Sequence, residues 1–200
     1  MIVLKAVPRI AQAYIFAFKA HSGKHRKDST IPYIVHPMDV ASVLMKNGTS
    51  EDVVIAGLLH DVVEDAGVKL KVLEELFGSE VARLVDGASE PEKYRGEMTR
   101  EERRATWKER KSLTINSMKI ADLDLKLLSC ADKLSNIRDM INDYNENEDQ
   151  LWNKLNASRE DNAWYYRSML ASFQFAPNSL IGTPIFHQFN NSVEVLYGLS

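Results

Sequence analysis

The chain has 200 residues and a formal net charge of −3, from 25 Lys and Arg residues against 28 Asp and Glu residues. With 44% hydrophobic and 26% charged residues, the composition is typical of a folded protein and excludes an intrinsically disordered one. We expect a single domain over residues 1–200. The slightly acidic balance argues against a nucleic-acid-binding protein, because such proteins usually carry a basic surface.

Cys130 is the one cysteine of the chain, so no disulfide can form within it. We therefore expect a reducing, cytoplasmic location. The apolar runs are much shorter than the ~20 residues that a membrane-spanning helix needs, so no membrane association is expected. The apolar N-terminal stretch is interrupted by Lys5, Pro8 and Arg9 and lacks the order of a signal peptide. It is therefore predicted to form the first helix.

Helical patterns dominate the chain, and there are few glycines and prolines to interrupt them. Ser50, Ser158, Thr183 before Pro184, and the pair Thr99 and Glu102 are typical helix starts. Residues 87–98 form the most loop-like stretch. In chain order, helices are predicted over residues 9–20, 37–46, 51–65, 70–86 with a break at Gly78, 100–118, 124–142, a short helix near 150, 158–174, and a last helix from 183. This pattern predicts an all-α protein, a globular bundle of roughly eight to ten helices.

The segment His60–Asp65 (HDVVED) carries four titratable side chains on one predicted helix. His60 and Glu64 are four residues apart, as are Asp61 and Asp65, so each pair shares a helix face. Acidic side chains near the C-terminal end of a helix interact unfavourably with the helix dipole. Departures of this kind are frequent at functional sites, although a solvated helix end is the alternative interpretation.

A divalent cation bound at His60 and Asp61 would need further ligands from elsewhere in the chain. His36 and Asp132 are the candidates, because each lies beside an apolar helix face. Two imidazoles and two carboxylates suit an ion such as Mn²⁺ or Fe²⁺ and leave positions open for water. Zinc is a further candidate, although zinc sites usually contain more His or Cys. A structural His-Asp pair without a metal is the competing interpretation.

Residues 8–173 resemble a known family. The order His36, His60-Asp61, Asp132 is similar to the signature of HD-domain metal-dependent phosphohydrolases. More narrowly, the chain resembles the hydrolase domain of RelA/SpoT-type proteins and the stand-alone small alarmone hydrolases. The stretches that carry the resemblance are 20–27 (AHSGKHRK), 31–37 (IPYIVHP), 57–65 (GLLHDVVED), 77–81, 107–111, 131–138 and 164–167.

This resemblance implies an enzyme that removes the 3′-pyrophosphate of the guanosine alarmones (p)ppGpp and yields GDP or GTP. It implies one Mn²⁺ per chain, held by His36, His60, Asp61 and Asp132. Glu64 and Asp65 match the acid pair that the family needs for hydrolysis, and which of them is the base stays open. The nucleotide contacts implied by the same resemblance are Arg26, Lys27, Tyr33, Asn136 and Tyr165, of which Tyr33 and Tyr165 also fit a packing role.

The chain departs from the family pattern at two positions. Ser135 stands where the family usually has His, and Asp28 follows the Arg26-Lys27 pair where Gly or Ser is common. The first departure bears on substrate positioning or rate, and the second on nucleotide preference. Both leave the four implied metal ligands unchanged.

Several alternatives stay open at this stage. The same chemistry could act on the adenosine alarmones (p)ppApp, or on a 2′- or 3′-phosphate such as that of NADPH. A different class is a catalytically silent nucleotide-binding module, which the presence of all four ligands and both acids disfavours. No synthetase region is expected in 200 residues, so the implied role is to end or buffer a stringent-type response. The expected binding partner is a small-molecule nucleotide. Whether the chain forms a homo-oligomer is left open by the sequence. Residues 174–200 either cap the helical bundle or contact another protein.

Overall fold

The computed structural model describes residues 7–91 and 98–198. Within them the regular structure is helical, and the one β-type pairing is an isolated bridge between His25 and Pro32. The predicted all-α class is therefore confirmed. None of the described helices combines the length and the apolar character that crossing a bilayer requires. The helices are α1 (Arg9–Ala20), α2 (Val35–Lys46), α3 (Glu51–Leu59), α4 (Val62–Ala66), α5 (Leu70–Phe77), α6 (Ser79–Ala88), α7 (Arg100–Ala105), α8 (Trp107–Ile120), α9 (Leu123–Asn147), α10 (Gln150–Lys154), α11 (Arg159–Phe173) and α12 (Pro184–Tyr197).

Side-chain caps begin several helices where the sequence predicted them. The capping side chains are those of Ser50, Thr99, Ser158 and Thr183, each accepting a hydrogen bond from a backbone N–H in the first turn. At Thr99 the capping box is complete, because the Glu102 side chain accepts the N–H of Thr99 in return. These helix starts are thus determined by neighbouring residues, which is why the sequence alone located them.

The described residues divide into two compact units, one ending at Ser89 and the other beginning at Glu90. The first contains α1 to α6, and the second contains α7 to α12. The single domain expected over residues 1–200 stays a prediction. Residues 92–97, half of the predicted loop 87–98, lie outside the described residues, whereas Gly87 and Ala88 belong to α6.

In the first unit, α3 is the central helix and packs against α1, α2 and α6. All its residues from Val53 to Leu59 are buried. Gly57 permits a close approach of α2, because a β-carbon at this position would lie 2.6 Å from Cδ1 of Leu44. This close approach determines how far the α2 residue His36 lies from His60 at the end of α3.

In the second unit, the 25-residue helix α9 packs against α10, α11 and α12. Helix α12 belongs to the C-terminal tail, and one of its faces is buried. The buried residues of this face are Ile185, Phe186, Phe189, Val193, Leu196 and Tyr197. Between the two roles considered for residues 174–200, the structure therefore favours packing against the other helices of the unit.

Two predicted helices are interrupted in the structure. The helix expected over 51–65 breaks at His60 and Asp61 into α3 and α4, and the one expected over 100–118 breaks at Thr106 into α7 and α8. In the other direction, α9 continues beyond 142 to Asn147. The described residues thus form twelve helices and not eight to ten. The apolar spacing missed these breaks because a turn of one or two residues leaves the periodic pattern almost unchanged.

Candidate metal centre

The His60-Asp61 pair lies at the turn between α3 and α4. His60 ends α3 with helical backbone angles (φ −58°, ψ −32°), and Asp61 precedes α4 with φ −96° and ψ −6°. Adjacent side chains on an unbroken helix point about 100° apart. At this turn they converge, and Nε2 of His60 lies 3.1 Å from Oδ2 of Asp61. The break in the predicted helix is therefore what brings the two groups together.

His36 joins this pair from the first turn of α2. Its Nε2 lies 3.6 Å from the same Asp61 oxygen, and its ring centroid is 5.1 Å from that of His60. The His36 and His60 residues are only 3% and 4% exposed. The first unit thus brings together three of the four predicted metal ligands, two imidazoles and a carboxylate, which are donors that suit a divalent transition-metal ion.

The tautomer of His60 supports the fit of a cation here. Nδ1 of His60 lies 2.9 Å from the carbonyl oxygen of Gly57. A carbonyl can only accept, so Nδ1 carries the proton and Nε2 keeps its lone pair in the neutral ring. In the neutral ring that lone pair faces the Asp61 oxygen, which is also an acceptor, so the contact is favourable when a proton or a metal ion lies between the two atoms. Metal-ligating histidines are commonly oriented by a carbonyl in this way.

Tyr33 donates a hydrogen bond from its hydroxyl to Oδ2 of Asp61, with a distance of 2.6 Å. Burial raises the pKa of the Tyr33 phenol far above its ordinary value, and the carboxylates of Asp61 and Asp65 raise it further. The phenol therefore stays protonated and can act as a donor throughout the physiological pH range. The predicted nucleotide residue Tyr33 thus contacts the predicted metal ligand Asp61.

His21 was not assigned a role from the sequence, although it lies in one of the stretches that carry the resemblance. Its residue is 3% exposed and its ring packs on Tyr33, with 4.7 Å between the centroids. Neither ring nitrogen has a hydrogen-bond partner among the described residues. Burial lowers the pKa of His21, although Asp61 and Asp65 act in the opposite direction. The sequence feature that could have indicated this burial is the position of His21 directly after the apolar helix α1.

The basic loop, residues 24–33, contains the predicted nucleotide contacts Arg26 and Lys27 and folds back on itself. The Arg26 N–H donates to the Ile31 carbonyl and the Tyr33 N–H to the Lys24 carbonyl, both at 2.9 Å. The guanidinium carbon of Arg26 lies 5.6 Å from the centre of the Tyr33 ring, and Lys27 is exposed. The loop therefore places one predicted nucleotide-binding cation against the tyrosine that contacts Asp61.

Glu64 and Asp65 lie on α4, which ends at Gly67 in the left-handed conformation (φ 65°). Glu64 is partly buried and Asp65 is exposed. The ammonium group of Lys24 donates to the Asp65 backbone carbonyl, which connects the basic loop to this acidic helix. The first unit thus places both predicted catalytic acids on the short helix that directly follows Asp61.

The other predicted ligand, Asp132, lies on α9 in the second unit and is buried. Its Oδ1 accepts a hydrogen bond of 2.5 Å from the Asn136 amide, and its Oδ2 pairs with Lys133. Burial by itself lowers the pKa of Lys133, but the Asp132 carboxylate, together with Tyr165 and Tyr166, outweighs this effect and the pKa is raised. Asn136, predicted to contact the nucleotide, thus holds the Asp132 carboxylate, while Ser135 is buried.

Tyr165 is on α11 and is buried, with its ring against Trp107 and Tyr166. The Lys111 ammonium lies 5.2 Å from the centre of the Tyr165 ring. The Tyr165 hydroxyl has no hydrogen-bond partner among the described residues. These contacts agree with the packing role considered for Tyr165, and its contact with the nucleotide stays a prediction.

Several known proteins are similar to the chain in sequence. Residues 13–162 match the family described as HD domain. The chain is 36% identical over 132 residues to a GTP pyrophosphokinase of Myxococcus xanthus, with 64% of this chain and 17% of the relative covered. It is 36% identical over 129 residues to a probable guanosine-3′,5′-bis(diphosphate) 3′-pyrophosphohydrolase of Synechocystis, with 64% and 16% covered. The chain thus spans less than a fifth of the length of these curated relatives.

Two solved structures resemble the chain over most of its length. One is described as lmo0812 from Listeria monocytogenes, with a TM-score of 0.71 and 29% identity, covering 82% of this chain and 99% of the other. The second is described as a metazoan ortholog of SpoT that hydrolyses ppGpp and plays a role in starvation responses. Its TM-score is 0.72 at 25% identity, with 98% of this chain and 100% of the other covered.

Proposed function

Since the chain belongs to the HD-domain family, as its match over residues 13–162 shows, we propose that it is a Mn²⁺-dependent 3′-pyrophosphohydrolase of (p)ppGpp. The products are pyrophosphate and GDP or GTP. The observation that carries the proposal is the convergence of the His36 and His60 Nε2 atoms on one oxygen of Asp61. The relative of Synechocystis named as a pyrophosphohydrolase and the SpoT ortholog that hydrolyses ppGpp support the choice of substrate.

In this proposal the ligands of a single Mn²⁺ are His36, His60, Asp61 and Asp132. Asp132 fits the role because its carboxylate is buried and already oriented by Asn136. When bound, a divalent ion lowers the pKa of water and offsets the charge of phosphate oxygens. His60 acts through Nε2, because its Nδ1 proton is held by the Gly57 carbonyl.

Glu64 or Asp65 acts as the general base. Each is a carboxylate on the helix that directly follows Asp61, and a carboxylate can take the proton of an attacking water. The water attacks the phosphorus bonded to the ribose 3′ oxygen. That oxygen leaves with the bonding electron pair and takes a proton, so one water is consumed and pyrophosphate is released.

The nucleotide contacts in the proposal are Arg26, Lys27, Tyr33, Asn136 and Tyr165. The alarmone is highly anionic, so a cationic loop suits its phosphates, and an arginine can also stack on the base. Asp28 lies in the same loop with a positive φ of 52° and adds an acid close to the Arg26-Lys27 pair. This departure is the reason for including adenosine alarmones among the substrates tested.

The proposed biological role is that of a stand-alone alarmone hydrolase that ends or buffers a stringent-type response. The reaction takes place in the reducing cytoplasm, in agreement with Cys130 being a buried free thiol. The partner is the nucleotide itself.

The test is turnover by the purified chain with Mn²⁺, comparing ppGpp, pppGpp, pppApp and NADPH. We expect pyrophosphate and GDP or GTP from the guanosine substrates, and no product after chelation or in Asp61→Ala. Asp139→Ala, which removes an exposed carboxylate of α9, is the matched control and should keep wild-type activity. Binding of Mn²⁺ without turnover of any substrate would exclude the hydrolase and leave a nucleotide-binding module. If pppApp is turned over in preference to the guanosine substrates, the assigned substrate nucleobase changes from guanine to adenine.

A further inference from the structure

We propose that the Tyr33 hydroxyl is a positioning group for the metal ligand Asp61. The inference deepens the proposed function and rests on its metal site. It assigns the hydroxyl to orienting a carboxylate, whereas the family resemblance places Tyr33 among the nucleotide contacts. The two assignments differ in what the hydroxyl does and can be separated by removing that single oxygen.

The position of the hydrogen bond is the first argument. The hydroxyl donates to Oδ2 of Asp61 at 2.6 Å. This is the same oxygen that lies 3.1 Å from Nε2 of His60 and 3.6 Å from Nε2 of His36. The terminal torsion of an aspartate is broad, so a carboxylate without such a donor turns easily. The hydroxyl therefore restrains the atom on which the ligand groups converge.

The Tyr33 ring is itself held in place, which is the second argument. The His21 ring packs on it at 4.7 Å between centroids, and the His36 ring meets it edge-on at 6.1 Å and 80°. Arg26 lies against the ring, and the Tyr33 N–H is bonded to the Lys24 carbonyl. A ring with contacts of this kind keeps its hydroxyl at a constant position. A donor fixed in this way can orient Asp61 before any ion binds.

The critical variant is Tyr33→Phe, because it removes one oxygen and keeps the ring contacts. Mn²⁺ binding to the purified chain is measured by titration calorimetry without nucleotide. We expect the dissociation constant to rise about 10- to 100-fold, the usual effect of losing a group that orients a metal ligand. At saturating Mn²⁺, the KM for ppGpp should stay within about twofold of wild type, because the variant keeps the aromatic ring, which is the part of Tyr33 left to contact the nucleotide. Tyr14→Phe, on the partly exposed face of α1, is the matched control and should leave Mn²⁺ binding unchanged.

An unchanged Mn²⁺ dissociation constant in Tyr33→Phe would overturn the inference, whether or not the KM rises. If the KM rises while Mn²⁺ binding is unchanged, the hydroxyl is assigned to the nucleotide. Failure of the proposed function is recognised separately, because a wild-type chain that binds Mn²⁺ but turns over no ppGpp still reports on Tyr33 through the binding measurement.

Discussion

Buried imidazoles are concentrated in one part of the first unit. His21, His36 and His60 are each at most 4% exposed, whereas His25 and His187 are exposed. Burying a polar ring costs free energy unless it gains partners. His60 gains the Gly57 carbonyl and the neighbouring carboxylate, which is consistent with a ligand. His21 gains a ring contact but no hydrogen bond among the described residues, so its contribution to stability is open to a direct test.

We expect His21 to make the metal-free protein less stable as the pH falls. Burial lowers its pKa below the value of about 6.5 that an unfolded histidine has, so below that pH the unfolded chain binds a proton that the folded chain binds less readily. The free energy of unfolding should then decrease toward low pH, by at most about 1.4 kcal/mol per pH unit for one group. His21→Phe should weaken this dependence, as measured by chemical denaturation between about pH 7.5 and 5.5. The exposed control His187→Phe should keep the wild-type slope, and an identical slope in both variants would contradict the prediction.

The two acids of α4 give a second prediction at this scale. Glu64→Gln and Asp65→Asn each remove one charge and keep the shape of the side chain. The variant that lacks the general base should lose about 100- to 10,000-fold in kcat, because that is the usual contribution of proton transfer. Mn²⁺ affinity should change little, since neither acid is a proposed ligand.

The measurement is kcat at saturating Mn²⁺ for both variants, with Mn²⁺ binding followed in parallel. Glu75→Gln, on an exposed face of α5, is the control and should be fully active. Wild-type kcat in both α4 variants would remove the acid pair from the mechanism.

At the scale of the elements, the break between α3 and α4 has the largest consequence for the site. It turns the chain at His60 and Asp61, so that two neighbouring side chains converge. The contact between the adjacent residues His60 and Asp61 is one that the i,i+4 spacing did not predict. Sequence spacing predicted a helical segment here, but not the turn, because the apolar residues of α3 and α4 continue the same pattern across it.

Gly57 has a structural role that follows from the packing of α2 on α3. Its missing side chain lets the buried Leu44 approach, and a β-carbon would meet Cδ1 of Leu44 at 2.6 Å and Cγ1 of Val40 at 3.3 Å. Gly57→Val should therefore destabilise the fold by about 1–3 kcal/mol, as overpacking of a buried contact does. Denaturant unfolding measures this change. Ala105→Val on the exposed face of α7 controls for the lower helix propensity of valine, and equal stability of both variants would contradict the close packing.

At the scale of the whole molecule, the proposed metal site makes stability depend on metal. An ion that binds the folded chain and not the unfolded one stabilises it by about 2.7 kcal/mol when its concentration is 100 times the dissociation constant. Chelation should therefore lower the Tm of the wild-type chain by several degrees. Asp132→Ala should remove most of the Mn²⁺-dependent rise in Tm, and Asp139→Ala should keep it. A Tm that is independent of Mn²⁺ would exclude the site.

The all-α class, the approximate positions of the helices and their capped starts follow from the sequence itself. These features depend on residues that are close neighbours along the chain, such as Thr99 and Glu102. The order of the signature residues likewise identified the family, because that information is contained in residue types and their spacing. The part of the fold that is local was therefore predictable, with errors where a short turn interrupts a continuous apolar pattern.

Tertiary structure alone decided which side chains meet. The contact of Tyr33 with Asp61 joins residues 28 positions apart, and no local rule distinguishes that partner from a nucleotide. The contact of Asn136 with Asp132 is different, because the two lie one turn apart on α9 and their spacing already allows it, while the nucleotide contact of Asn136 stays a prediction. His21 became notable only through its burial against Tyr33. Distances of a few ångströms between separate segments result from the packing of whole helices, and the spacing of residues along the chain does not contain them.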